Sequence, residues 1–270
     1  MADILLTGLA IGESPRWHEG RLWLCDWCTG EIVTVGADGR REAVAHVPTT
    51  FPYSIDWLPD GRMLVVSGPE SLLLRQEPDG TLVTHADLTG LADYCNEIVV
   101  DGRGDTYVNS GTQVLLVPAG GGPREVATGL SFGNGMAVTP DDATLIVAES
   151  HGNRLTAFDI AADGSLSAGR VWADLGTGCP DGICVDAEGA VWYADVPNRH
   201  CVRVREGGEV LAEVPVDRGC FACMLGGPDG RTLYVLAAEW HGMDKVRMTD
   251  RTGQVLVASA PAAGAGWPAR

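Results

Sequence analysis

A hairpin-like unit recurs six times along the chain, and this repetition limits the possible folds more than any other feature. The unit first reads "LAIGESPRWHEGRLWLCDW" from Leu9, then "YSIDWLPDGRMLVVSG" from Tyr53 and "NEIVVDGRGDTYVNSG" from Asn96. It returns as "NGMAVTPDDATLIVAES" from Asn134 and "DGICVDAEGAVWYADV" from Asp181. A weaker sixth copy, "FACMLGGPDGRTLYVLAAEW", starts at Phe221. Each copy is an apolar strand, an acidic or glycine-rich turn and a second apolar or aromatic strand. Aligning the turns on Gly20, Gly61, Gly104, Ala143, Gly189 and Gly230 gives spacings of 41, 43, 39, 46 and 41 residues. Such a period suits a propeller blade of four strands, roughly 40 to 50 residues. Weaker strands between the hairpins, such as "EIVTVGADGRREAVAHV" and "RLTAFDIAADGSLSAGRVWADL", supply the third and outer strands. No helical period competes.

The expectation is an all-β, six-bladed β-propeller with a metal site in its central channel. Residues 1–260 form one domain, and 261–270 form a loose tail. "ILLTGLA" near the N-terminus completes the last blade from outside, which removes an exposed sheet edge.

The chain carries 36 acidic against 19 basic residues, a formal charge of −17. That balance repels phosphate backbones and anionic membranes, so neither nucleic acid nor membrane is an expected partner. The start, "MADILLTGLAIGESP", has no basic segment followed by a long apolar run, and no stretch approaches about 18 consecutive apolar residues. A cytoplasmic location with reduced cysteines is expected. "CDWC" and "CFAC" resemble zinc spacings, but residues i and i+3 of a strand point to opposite faces, so the four are read as structural thiols. The six histidines form no HExxH pair, and His18 and His151 are read as surface or packing residues. "AGGGPRE" is a turn rather than a phosphate-binding loop, and no GxSxG elbow is present.

Residues at the start of the first strand of each blade converge at one end of a propeller's axis. Glu13 lies seven residues before its aligned turn, Asn96 eight, Asn134 nine and Asp181 eight. Four blades thus bring oxygen-bearing side chains to one level, a donor set for a hard divalent cation. Asp26, Glu149 and Asp195 end second strands, which return to the same rim; they are read as fixing turns between blades, with a supporting role around the metal as the rival.

The motifs "GESPRW", "NGMAVTPDDATLIVAES", "PDGICVDAEGAVW" and "GGPDGRTLYV" resemble those of the senescence marker protein/regucalcin/gluconolactonase family over nearly the whole chain. The resemblance implies one divalent metal, with Ca, Zn, Mg, Mn or Fe all open, and, in many members, hydrolysis of sugar lactones. It assigns the metal to Glu13, Asn134 and Asp181, and a substrate contact to Asn96. The family's Arg-x-Asn-Asp segment reads "YCNE" here, so Tyr94 and Glu97 replace Arg and Asp. "YVNSGTQVLLVP" runs through without the lid-like insertion common in the family, leaving the loop of Phe51 and Pro52 as an alternative cover.

The function expected is a metal-dependent lactonase acting on a small molecule. Asp181 accepts the proton of the attacking water, and Asn96, Tyr94 and Glu97 orient the substrate. Tyr94 in place of Arg predicts less polar or bulkier lactones. Phosphotriester or phosphofluoridate hydrolysis, and a non-catalytic calcium-binding scaffold, are the rivals; oligomeric state is left open.

Overall fold

The computed structural model describes residues 2–49, 51–242, 245, 247 and 249–266. Its strands form six antiparallel sheets of four, the expected six-bladed propeller. The first blade pairs Ile11–His18, Arg21–Trp27, Glu31–Val35 and Arg41–His46 in order. The innermost strands of the other five are Tyr53–Trp57, Ile98–Val100, Gly133–Val138, Pro180–Val185 and Gly219–Gly226. Each innermost strand touches the next, and the last touches the first, so the six form a closed ring around the axis. Apolar residues such as Leu64, Val66, Val108 and Leu115 fill the space between neighbouring sheets without exposure. No described helix is long and apolar enough to cross a membrane.

Asp3–Leu9 pairs antiparallel with Gly253–Ser259 on the outside of the sixth sheet, as the N-terminal sequence predicts. The tail differs from expectation. Ala187 donates to the Ala263 carbonyl (2.8 Å), Ala265 to Val185 (3.1 Å) and Gly264 to Gly230 (2.9 Å), while Ala262 is buried. These bonds pin 261–266 across the fifth and sixth blades, because an apolar run of Ala and Gly lies close to backbone without steric conflict. Residues 267–270 of the expected tail lie outside the described set.

One turn also shifts. Gly61, Gly104, Gly189 and Gly230 adopt positive φ and donate to the carbonyl three residues earlier. In the fourth blade that role falls to Asp142 (φ 56°), which donates to Thr139, rather than to Ala143. Aspartate tolerates the left-handed region better than alanine. Measured from Asp142, Asn134 stands eight residues back, the offset of Asn96 and Asp181.

Two glycines bring the site-bearing strands together. A Cβ on Gly135 would lie 2.5 Å from the Asp181 carbonyl oxygen, and one on Gly182 would lie 2.6 Å from the Ala222 Cβ. The fourth, fifth and sixth inner strands therefore touch backbone to backbone beside Asn134 and Asp181. Gly182→Ala is expected to force the fifth and sixth blades apart and cost about 1–3 kcal/mol in urea denaturation. A loss below about 0.5 kcal/mol would show that the contact relaxes freely.

Candidate metal and substrate site

The inner strands are irregular where the expected site residues lie. Pairing shifts register between Glu13 and Arg16, between Gly133 and Met136, and between Pro180 and Ile183. Bulges re-aim side chains, so Asn134 and Asp181 leave the regular alternation of their strands, while Glu13, paired with Cys25, borders the first bulge. Ser14, inside the first bulge, has φ 48°. The second blade pairs without a shift from Tyr53 to Trp57 and contributes none of these residues.

Asn96 donates from Nδ2 to Asn134 Oδ1 (3.0 Å), and Asn134 Nδ2 reaches Ser150 Oγ (3.4 Å). Ser150 in turn donates to the Pro180 carbonyl (2.6 Å), and the Asn109 amide bonds the Asn134 carbonyl. This chain stitches the third, fourth and fifth blades at the level of Asp181. Glu13 is buried, and its Oε2 accepts from the Ser14 N–H (3.0 Å). Burial raises its pKa well above the ordinary carboxylate value, and the charges of Asp181 and Glu97 raise it further. Asp181 is raised likewise by burial, then by Glu97 and Asp195.

Glu97 points into the channel rather than outward. Its Oε1 accepts from Arg16 Nη2 (2.8 Å) and from the hydroxyls of Ser14 (3.4 Å) and Ser54. Arg16 also donates to the Ile98 carbonyl (2.7 Å), and its Nε lies 4.0 Å from Asp56. Arg16, Glu97 and Asp56 are all buried. Burial pushes Asp56 up to about 7 against the pull of Arg16 and of the N–H groups of Val100 and Trp57. Arg16, Ser14, Ser54, Asp56, Asn109 and Ser150 escaped the sequence reading. Arg16 in "GESPRW" and Asp56 in "YSIDWL" carried the available signal, a charge set within an apolar strand.

Tyr94 stands on the rim, 37% exposed, with its hydroxyl over Gly111, where a Cβ would come within 2.1 Å of it. The sequence from Asn109 to Gln113 turns directly, without a lid, and Phe51 packs edge-on against Trp27 (5.4 Å) at the first and second blades.

Asp26, Glu149 and Asp195 fasten the backbone that enters each site strand. They accept from the N–H groups of Ala10 (2.8 Å), Ser131 (2.6 Å) and Cys179 (2.9 Å), two or three residues before Glu13, Asn134 and Asp181. That is the turn-fixing role expected of them. All eight cysteines are free, and His151 stacks on Phe132 (4.6 Å).

Among the described residues no group of three or more His, Cys, Asp and Glu side chains is arranged to hold a metal. The candidate set has two such residues, Glu13 and Asp181, with an amide as the third donor. Its chemistry fits a hard divalent cation. Among the described residues, four carboxylates, Glu13, Asp56, Glu97 and Asp181, stand near the channel with the guanidinium of Arg16 among them, and the charges of the first and last repel each other.

A family model described as the SMP-30/gluconolactonase/LRE-like region matches residues 11–239, and the chain belongs to that family. Xenopus laevis regucalcin is 31% identical over 87% of this chain and 85% of its own. A pentonolactonase of Haloferax volcanii is 26% identical over 87% and 84%. Among solved structures, a calcium-binding regucalcin from Agrobacterium tumefaciens superposes with a TM-score of 0.81 at 21% identity, covering 98% and 95% of the two chains. A gluconolactonase from Xanthomonas campestris gives 0.75 at 18%, covering 95% and 88%. These two show the fold.

Removing Arg16 leaves Glu97 and Asp56 buried without their counter-charge. Arg16→Met is expected to cost about 3–5 kcal/mol. Adding Glu97→Gln should recover about 0.5–3 kcal/mol in a double-mutant cycle by denaturation, and strict additivity would contradict the pairing.

Proposed function

We propose that the chain is a divalent-metal-dependent hydrolase that opens a small lactone at the axial site. The observation that carries this reading is the excess of carboxylate at the channel mouth, buried Glu13 and Glu97 with half-buried Asp181, beside a stitched pair of amides from the third and fourth blades. Family membership supports it, as do relatives described as lactonases. Free cysteines throughout accord with a reducing compartment such as the cytoplasm.

Glu13, Asn134 and Asp181 would hold the cation. When bound it supplies positive charge that polarises the lactone carbonyl and offsets the charge developing on that oxygen. Asp181 takes a proton from the attacking water and passes it to the ring oxygen as the acyl C–O bond breaks, giving the hydroxy acid. The Asn96 amide, fixed by Asn134, orients the substrate hydroxyls, and Tyr94 bounds the site on the side of the third blade. Glu97, tied to Arg16, keeps the field beneath the site negative and acts through position rather than by touching substrate. The bonds of its Oε1 to Arg16, Ser14 and Ser54 favour this supporting role over the substrate contact expected from the sequence.

Glu13→Gln, Asn134→Ala and Asp181→Asn should each lower metal affinity at least ~10-fold and suppress lactone opening, with the circular dichroism of the parent kept. Titration calorimetry over a metal series, with lactone and phosphotriester panels, checks this. Parent-like metal binding by all three variants would overturn the ligand set. Turnover of phosphotriesters alone, or metal binding without turnover, would select a rival function.

The metal-free protein should also respond to pH. Glu13 and Asp181 have raised folded-state values, so their contribution to stability is present in full below ordinary carboxylate values, about 4, and is lost as pH rises through the folded values. The melting temperature of chelated protein should therefore fall on moving from pH 4 toward neutrality, and Glu13→Gln should flatten that fall. Adding the cognate cation at ~100 times its Kd should restore about 2.7 kcal/mol. A chelated parent and variant with the same pH profile would contradict the buried repulsion.

A further inference from the structure

On the rim beside the axial site, a cleft of about 340 Å³ opens between the segment entering the third blade and the turn after its second strand. Its walls adjoin the axial residues along the chain: Tyr94 stands two residues before Asn96, and Ser110 follows Asn109, whose amide bonds the Asn134 carbonyl. Gln113 Nε2 donates to the Leu91 carbonyl (2.7 Å) and ties one wall to the other. Gly111, at φ 78° and with no Cβ, lets the Tyr94 hydroxyl settle against the turn, so the position of that ring is built into the backbone.

The lining is mostly polar and uncharged. Ser110 and Thr112 offer hydroxyls, Asp93 adds an acceptor, and Thr89 and Gln113, whose donors bond Asp87 (2.7 Å) and Leu91, keep acceptor oxygens. Among the described residues no Lys, Arg or His lines the cleft, and the chain as a whole carries −17, so the lining disfavours an anionic substituent. Tyr94 contributes an apolar ring face with one polar tip. An aromatic face beside hydroxyls, an amide and a carboxylate matches a sugar ring, which has apolar C–H faces and a polar edge. The volume falls in the ordinary range of small-molecule sites, about 300–1,000 Å³, and takes one hexose unit.

We propose that this cleft is a glycosyl subsite, so that the preferred substrate is an aldonolactone bearing a neutral sugar substituent. The proposal rests on the lactone-opening reading of the axial site and adds the substrate class. It keeps the greater bulk expected from Tyr94 and replaces the expected apolar substituent with a polyhydroxylated one, because the surroundings of the ring are polar. The glycosidic bond is untouched; the sugar is a handle that holds the lactone ring over the axis.

The test compares gluconolactone with its 4-O-glucosyl derivative, using the full chain loaded with its activating divalent cation. The parent should favour the glucosylated lactone ~10-fold in kcat/KM. Thr112→Trp places an indole in the cleft at an exposed position away from the axis; it should abolish that preference and leave gluconolactone within ~2-fold of the parent. Thr112→Leu serves the same purpose if the larger variant does not fold. Saturation-transfer NMR with methyl β-glucoside reads the subsite without turnover, and should show binding to the parent that the variants lose. Glucoside binding lost in the variants, with no turnover of either lactone, would support the sugar site and overturn the lactone reading. Equal kcat/KM for the two lactones, an equal loss for both in the variants, or no glucoside signal from the parent would overturn the subsite.

Discussion

Closure of the ring is the constraint on which everything else rests. The inner strands present their site residues to one another only because the sixth sheet contacts the first, and that contact is secured by Asp3–Leu9 pairing with Gly253–Ser259. Residues from opposite ends of the chain thereby share one sheet. An unclosed arc of blades would expose strand edges and spread the axial side chains apart. The backbone bonds of 261–266 reinforce the neighbouring junction, between the fifth and sixth blades.

Within the ring, two devices convert a regular scaffold into a site. Bulges in the fourth and fifth inner strands turn Asn134 and Asp181 out of the pleat, and one in the first strand begins just after Glu13. Acidic residues ending the second strands, Asp26, Glu149 and Asp195, hold the entering backbone and so set where each bulge lies. The outcome is an arrangement unfavourable in isolation, with carboxylates brought close together and, among the described residues, Arg16 paired with Glu97 beneath them. Such local cost, borne by a rigid surround, is characteristic of sites that await a charged ligand.

The repeat, the six blades, the closing N-terminal strand and the meeting of Asn96 with Asn134 were legible from residue order, because strand period and turn chemistry are local. The slip of one residue at Ala143 arose for the same reason: Asp142 can adopt the conformation that glycine supplies elsewhere, and spacing alone does not distinguish them. Glu97 was harder. Its neighbours in sequence suggest a rim residue, yet its partners are Arg16, Ser14 and Ser54, more than forty residues away.

By itself, the sequence determined the architecture and the place of strand-initial polar residues in it, since both follow from a repeated pattern of apolar strands and glycine-bearing turns. Which of those residues face one another, which carboxylate is committed to Arg16, and which rim surfaces form a cleft beside Tyr94 were decided only in the tertiary structure. The reason is geometric: these relations lie between blades, across contacts set by ring closure and by the close approach of Gly135 and Gly182 to neighbouring backbone. No local pattern encodes a distance between strands that meet only once the ring is closed.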